Sequence, residues 1–149
     1  MPGIGDALRS HEIVGFDSSV FIYYIESVAP YAQPADDALQ ELAAGRRRGI
    51  TSVVSLMEVT VRPLRLGLLD AAADYKSLIE HYPNLTVVPV DAAMAMRAAQ
   101  LRAEHRLLPA DALQIAACLE HGATAFVTND HRLRRIRELD VLVLGDFLP

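Results

Sequence analysis

The sequence predicts a three-layer α/β/α sandwich around a central parallel sheet of four to five strands. Three observations carry this expectation. Short apolar runs bounded by turn residues alternate with stretches of helical spacing along the chain. The runs are too continuously apolar for strands with one wet face, so they read as strands covered by helices on both sides. Acidic residues stand just after several of them, where the rim of such a sheet gathers ligands. At 149 residues the chain suits one domain, residues 1–149, with 1–10 as an extension ahead of the first strand.

The elements follow in order. Residues 11–16, HEIVGF, form the first strand, and Ser18 or Ser19 caps a helix that runs to Glu26. VAPYAQP is a loop, and Pro34 opens a helix that reaches Ala44. Gly49 precedes the second strand, ITSVV, and the helix after it carries Glu58 and stops before Pro63. Helical spacing extends from Leu68 to His81, and LTVVPV, residues 85–90, is the third strand. Asp91 caps a long helix to about Arg106. Pro109 opens a helix to His121, with Gly122 just past its end. TAFVT, residues 124–128, is the fourth strand, and VLVL, residues 141–144, the fifth.

The net charge of −5 excludes a general polycation, so any nucleic-acid contact has to come from a local patch. Lys76 is the only lysine; the remaining positive side chains are arginines. Arginine's planar fork suits phosphate, although a GC-rich genome enriches it equally well. Cys118, the only cysteine, lies in an apolar helix and reads as a core thiol. MPGIGDALRSHE lacks the apolar centre of a signal peptide, and no apolar run approaches the ~20 residues of a membrane span. The expectation is a soluble cytoplasmic protein.

Asp17 follows the first strand, Glu58 sits early in the helix after the second, Asp111 lies in the first turn of the helix begun by Pro109, and Asp130 follows the fourth strand. The predicted fold gathers these acids at one rim. Each has a plainer reading: Asp17 as a cap, Asp111 as a favourable charge at a helix start, Asp130 as a turn residue, Glu58 on an exposed helix face. Four gathered carboxylates repel one another and favour protonation; a divalent cation removes the conflict. Oxygen ligands without a cysteine or histidine cluster suit Mg²⁺ or Mn²⁺. The histidines offer no competing chemistry: HExxH, GxSxG and phosphate-binding glycine loops are all lacking in the sequence.

GFDSSVFIYYIE, SVVSLMEVTVRPLR and LPADALQIAACLEHGATAFVTND together resemble the PIN-domain ribonucleases, and among them the VapC-type toxins of bacterial toxin–antitoxin pairs. The resemblance spans about residues 13–144; its third block is the most specific, an Asp opening an Ala-rich helix, then Gly-Ala, a strand and Thr-Asn-Asp. It implies that Asp17, Glu58, Asp111 and Asp130 are both catalytic and metal-holding. Ser18, Thr128 and Asn129 would orient those carboxylates or nearby water from behind. The implied activity is metal-dependent hydrolysis of RNA, leaving 5′-phosphate and 3′-hydroxyl ends, with a cognate antitoxin protein and a second copy of the chain as partners. Arg62, Arg65, Arg132 and Arg134 follow the acids closely enough to hold flanking RNA phosphates; solvated faces and salt bridges explain them equally simply.

Two other classes compete. A phospho-receiver or aspartyl-phosphate phosphatase needs a lysine after the last strand or Asp-x-Asp after the first, and Lys76 and Ser19 fit neither. A non-catalytic PIN-like module binding RNA or protein could use Tyr23, Tyr24 and Tyr31, though helical spacing also places them in the core.

Overall fold

The structure, a computed structural model, describes residues 2–149; Met1 of the amino-terminal extension lies outside the described residues. Strands β1 (Ile13–Phe16), β2 (Arg48–Ser52), β3 (Leu85–Val88), β4 (Ala125–Thr128) and β5 (Asp140–Val143) form one sheet in the order β3-β2-β1-β4-β5. All neighbours are parallel; Val14 of β1 lies opposite Gly49 on one side and Ala125 on the other. The chain fills the sheet outward from β1 in one direction, then returns to its other side with β4. β1 and β4 therefore flank the point where the winding reverses, the place where such sheets open a crevice.

The helices are α1 (Ile4–Ala7), α2 (Ser18–Ile25), α3 (Ala32–Ala43), α4 (Val53–Arg65), α5 (Leu69–His81), α6 (Ala92–His105) and α7 (Pro109–Glu120). Alternation along β1 separates two cores. Val14 and Phe16 pack with Phe21, Leu39, Leu42 and Ile79 on one face. Phe126 of β4 points the other way, to Met94, Leu101 and Ile115 of α6 and α7. The three expected layers are present, with five strands.

Gly15 shows how closely α7 lies on the sheet. A Cβ there would stand 2.2 Å from Sγ of Cys118, a distance real atoms never adopt. The missing side chain lets the helix carrying Asp111 seat against the strand preceding Asp17. Cys118 is a buried thiol, and burial drives its pKa far upward.

Several boundaries differ from those expected. β2 ends at Ser52, whose hydroxyl accepts from the amide of Val54 and starts α4 at Val53; two β-branched residues had extended the apparent strand. α4 runs through Pro63 to Arg65 rather than stopping before it. The ring falls in the last turn, where it removes a single hydrogen bond and is buried. α3 starts at Ala32, so Pro34 occupies its first turn without opening it. The amino-terminal extension is folded: Ile4 and Leu8 are buried beside α3. Gly122, with φ +84°, takes the expected place beyond α7.

Candidate active site

Asp17 ends β1 and caps α2. Its Oδ1 accepts the amide of Ser18 at 2.8 Å, and its Oδ2 accepts the hydroxyl of Thr128 at 2.7 Å. The cap reading and the site reading thus apply to one residue. Asp17 is only 9 % exposed. Burial raises its pKa to about 6; the Thr128 hydroxyl opposes the rise, and the Asp111 and Glu58 charges add to it.

Glu58 lies on α4, half-buried, and Ser18 Oγ donates to its Oε1 at 2.9 Å. Burial raises its pKa, the Ser18 hydroxyl opposes, and Asp111 adds to the rise. Asp111 sits in the first turn of α7 and is half-buried. Among the described residues it accepts no hydrogen bond from any partner. Burial and the neighbouring Asp130 charge raise its pKa; Arg132 and Arg135 pull it back. A carboxylate without a donor, beside two others that resist ionisation, is the electrostatic situation a cation relieves.

Asp130 behaves differently. Arg132 folds back on it with a two-pronged contact, Nε to Oδ1 at 3.0 Å and Nη2 to Oδ2 at 2.8 Å. This clamp, joined by the Arg132 amide, holds the Asp130 pKa below the usual carboxylate range. Thr128 joins the two sides of the cluster: its hydroxyl donates to Asp17 and accepts the amide of Asp130 at 3.1 Å. The structure therefore gathers Asp17, Glu58 and Asp111 as a coupled group, with Asp130 beside Asp111.

The remaining expected residues divide. Ser18 and Thr128 touch the acids. Asn129 does not: its amide donates to the hydroxyl of Tyr23 and its carbonyl accepts the amide of Gly145, so it ties α2 to the carboxyl-terminal turn. Arg62 pairs with Glu26 and Arg134 with Asp146. Arg65 is exposed and, among the described residues, pairs with no carboxylate. Tyr23 and Tyr31 stack with ring centroids 5.1 Å apart against the core.

Beneath the acids lies a buried polar chain that sequence reading missed. Ser52 Oγ donates to Gln114 Oε1, Gln114 Nε2 donates to Ser55 Oγ at 2.7 Å, Ser55 meets Thr51 Oγ1 at 2.7 Å, and Thr51 donates to the Phe16 carbonyl at 2.9 Å. Every side chain in it is buried, and one set of proton positions satisfies all of them. The chain fastens the residue before Asp17 to helices α4 and α7, one turn from Glu58 and from Asp111. Its partners lie up to 62 residues apart, so no local motif announces it.

Among the described residues, a group of possible ligand atoms within 4.8 Å of one another is found elsewhere, at Glu104, His105 and Glu138. There His105 Nε2 lies 3.1 Å from Glu138 and 3.8 Å from Glu104, an exposed salt-bridged trio away from the rim acids. At the rim the ligand atoms of the acids do not all come within 4.8 Å of one another. Their donor set, oxygen alone with one unpaired carboxylate, fits a hard divalent cation.

A model of the PIN domain matches residues 15–139. The chain belongs to the PIN-domain family. Ribonuclease VapC23 of Mycobacterium tuberculosis is 28 % identical over 118 residues, covering 78 % of this chain and 92 % of that protein. Among solved structures, VapBC2 of Rickettsia felis, bound to a DNA fragment from its promoter, superposes with a TM-score of 0.71 at 17 % identity. That match covers 88 % of this chain and 98 % of the other. Mycobacterium tuberculosis VapC20, a sarcin–ricin-loop-cleaving toxin, matches with a TM-score of 0.61 and 17 % identity, covering 76 % and 86 %. At these identities the structural likenesses establish the fold. Asp17 and Asp130 of this chain follow β1 and β4, the two strands between which the winding reverses.

Proposed function

We propose that this PIN-domain protein is a ribonuclease that hydrolyses RNA phosphodiester bonds with Mg²⁺ or Mn²⁺, and that it is the toxin of a toxin–antitoxin pair. The observation that carries the reading is the group of Asp17, Glu58 and Asp111, three carboxylates at one rim of the sheet, each with its pKa raised by burial and by a neighbouring acid. The likeness to VapC23 supports it. The whole chain, residues 1–149, acts as one domain.

In this reading Asp17, Glu58 and Asp111 hold the cation and Asp130 completes the set. The cation supplies neutralisation of the phosphate charge and acidification of an attacking water. The chain's own residues do the rest. Thr128 and Ser18 fix the carboxylate oxygens of Asp17 and Glu58, so that little reorganisation accompanies the reaction. The buried Ser52–Gln114–Ser55–Thr51 chain sets the spacing of the three acid-bearing elements. Arg132 keeps Asp130 ionised and oriented.

We further assign an antitoxin protein as partner, in line with the solved toxin–antitoxin complexes this fold resembles. Met57, Val61, Leu64 and Leu68 are exposed along one side of α4 and its following turn, an apolar stripe suited to a protein surface. A second copy of the chain is the other partner proposed. No helix among the described residues is long and apolar enough to cross a membrane, and we place the protein in the cytoplasm.

The test is incubation of purified protein with end-labelled structured RNAs in Mg²⁺, Mn²⁺ or EDTA. Metal-dependent cleavage, with product ends that carry 5′-phosphate, is expected. No cleavage in either metal, from folded protein free of a bound inhibitor, would replace the enzyme with a binding module.

A further inference from the structure

Beside the acids a cavity of about 70 Å³ opens at the start of α7, lined by Leu108, Asp111, Asp130 and by Arg106, Arg132 and Arg135. The space is comparable with the liquid share of ~2 water molecules, the scale of a small oxyanion. Asp17 and Glu58 do not line it, so whatever it holds lies to one side of the coupled group.

The three arginines are not equivalent. Arg132 is committed to Asp130. Arg135 is held by backbone carbonyls instead of a carboxylate: its Nη2 donates to the His105 carbonyl at 2.7 Å and its Nη1 to the Arg132 carbonyl at 3.3 Å. A guanidinium has five N–H donors, so this tether fixes its plane and leaves donors over. Arg106 ends α6 in the left-handed conformation, φ +54°, which few residues without a short polar side chain adopt. Among the described residues its side chain makes no ion pair or hydrogen bond. One tethered cation, Arg135, and one unpartnered cation, Arg106, thus face a pocket whose carboxylates are already partnered or belong to the cation site.

We propose that Arg106 and Arg135 form a subsite for the RNA phosphate next to the scissile one. The inference rests on the ribonuclease reading. With one phosphate at Asp17, Glu58 and Asp111, a strand that runs on past the start of α7 brings its next phosphate to this cavity. The planar forks then take its non-bridging oxygens in place of solvent. The subsite fixes the register of the strand rather than its sequence, since phosphate contacts carry no base information.

The experiment measures binding of a fluorescein-labelled single-stranded 12-nucleotide RNA by anisotropy across NaCl concentrations. Ca²⁺ replaces Mg²⁺, and gels check that the RNA stays intact. Each lost phosphate contact on a single strand lowers the steepness of the negative slope of log K against log salt by ~0.7. Arg106→Asn, which tolerates the left-handed backbone, should lower it by about that amount, and Arg106→Asn with Arg135→Gln by about 1.4. Arg9→Gln with Arg48→Gln, near the opposite end of the sheet, should leave it unchanged. An unchanged slope in Arg106→Asn, or an equal fall in the Arg9 and Arg48 variant, overturns the subsite. A parallel cleavage assay separates the two readings. A wild type that cleaves RNA while the slopes do not move keeps the ribonuclease and loses the subsite. Slopes that move in a protein that never cleaves overturn the ribonuclease and, with it, a subsite beside a scissile phosphate, leaving these arginines as an RNA-binding site only.

Discussion

The Thr128 hydroxyl donates to Asp17 Oδ2 at 2.7 Å and accepts the Asp130 amide at 3.1 Å, so one buried side chain at the end of β4 orients the acid at the end of β1. The contact crosses the β1–β4 reversal. It also offsets part of the cost of burying the Asp17 charge.

Thr128→Val keeps the shape of the side chain and removes the hydroxyl. Loss of a charge-assisted bond at a buried carboxylate should cost ~1.5–3 kcal/mol of stability at neutral pH. Metal affinity should fall ~10–100-fold, as it does when a partner supporting a ligand is removed. Thermal melts and Mn²⁺ titration calorimetry check the two effects separately.

Asp17 makes the metal-free protein pH-sensitive. Its pKa rises from 3.8 to about 6 on folding, so the native state holds the proton more tightly than the unfolded chain. The unfolded state binds fewer protons between about pH 4 and pH 6, and stability contributed by this group falls as pH rises through that window. The full loss, present above pH 6, is at most about 3 kcal/mol at 1.36 kcal/mol per unit. Asp17→Asn should flatten this slope in urea titrations done with EDTA. It should also remove the stabilisation that wild type gains from Mn²⁺ near neutral pH. A wild-type slope of the opposite sign would contradict the assignment.

Gly15→Ala puts a methyl group onto Sγ of Cys118 and should destabilise the fold by ~1–3 kcal/mol. Because the worst clash is with Sγ, while Cys118 Cβ at 3.0 Å and Phe126 Cδ1 at 3.1 Å are merely tight, Cys118→Ala in the same chain should recover part of the loss. A double-mutant cycle by chemical denaturation measures this, and additive effects would mean that α7 does not sit on β1 as described.

Gln114→Leu fills the same space but takes the acceptor from the Ser52 hydroxyl proton and a donor from Ser55, which keeps its bond to Thr51. Burying one unsatisfied donor should cost ~1–3 kcal/mol. If the polar chain spaces the acids, kcat should fall more than KM rises at a temperature where the variant is folded. Equal melting temperatures for variant and wild type would remove the network from the account.

Much of this was legible in the sequence because strands covered on both faces leave continuous apolar runs, and the acids interrupt those runs at their ends. The layer order, the helix beginning at Pro109 and the turn at Gly122 follow from such local signals. Other features depend on partners distant in the chain. Val53 and Val54 look like strand until the Ser52 hydroxyl turns to cap α4. Pro63 looks like a stop until packing carries α4 past it. Gln114 reads as one polar residue in an apolar helix, and its place between Ser52 and Ser55 appears only once the sheet is assembled. The positions of Asp17, Glu58, Asp111 and Asp130 could be anticipated at one rim; the pairing of Asp130 with Arg132, and the unpaired state of Asp111, could not.

The most direct measurement compares RNA cleavage by wild type, Asp17→Asn and Asp111→Asn, each purified identically and shown to be folded by circular dichroism. Wild type should cleave in a metal-dependent manner, and both variants should lose at least ~100-fold without loss of fold. Cleavage by either variant at the wild-type rate would contradict the proposed site, because the coupled carboxylates would then have no part in the chemistry.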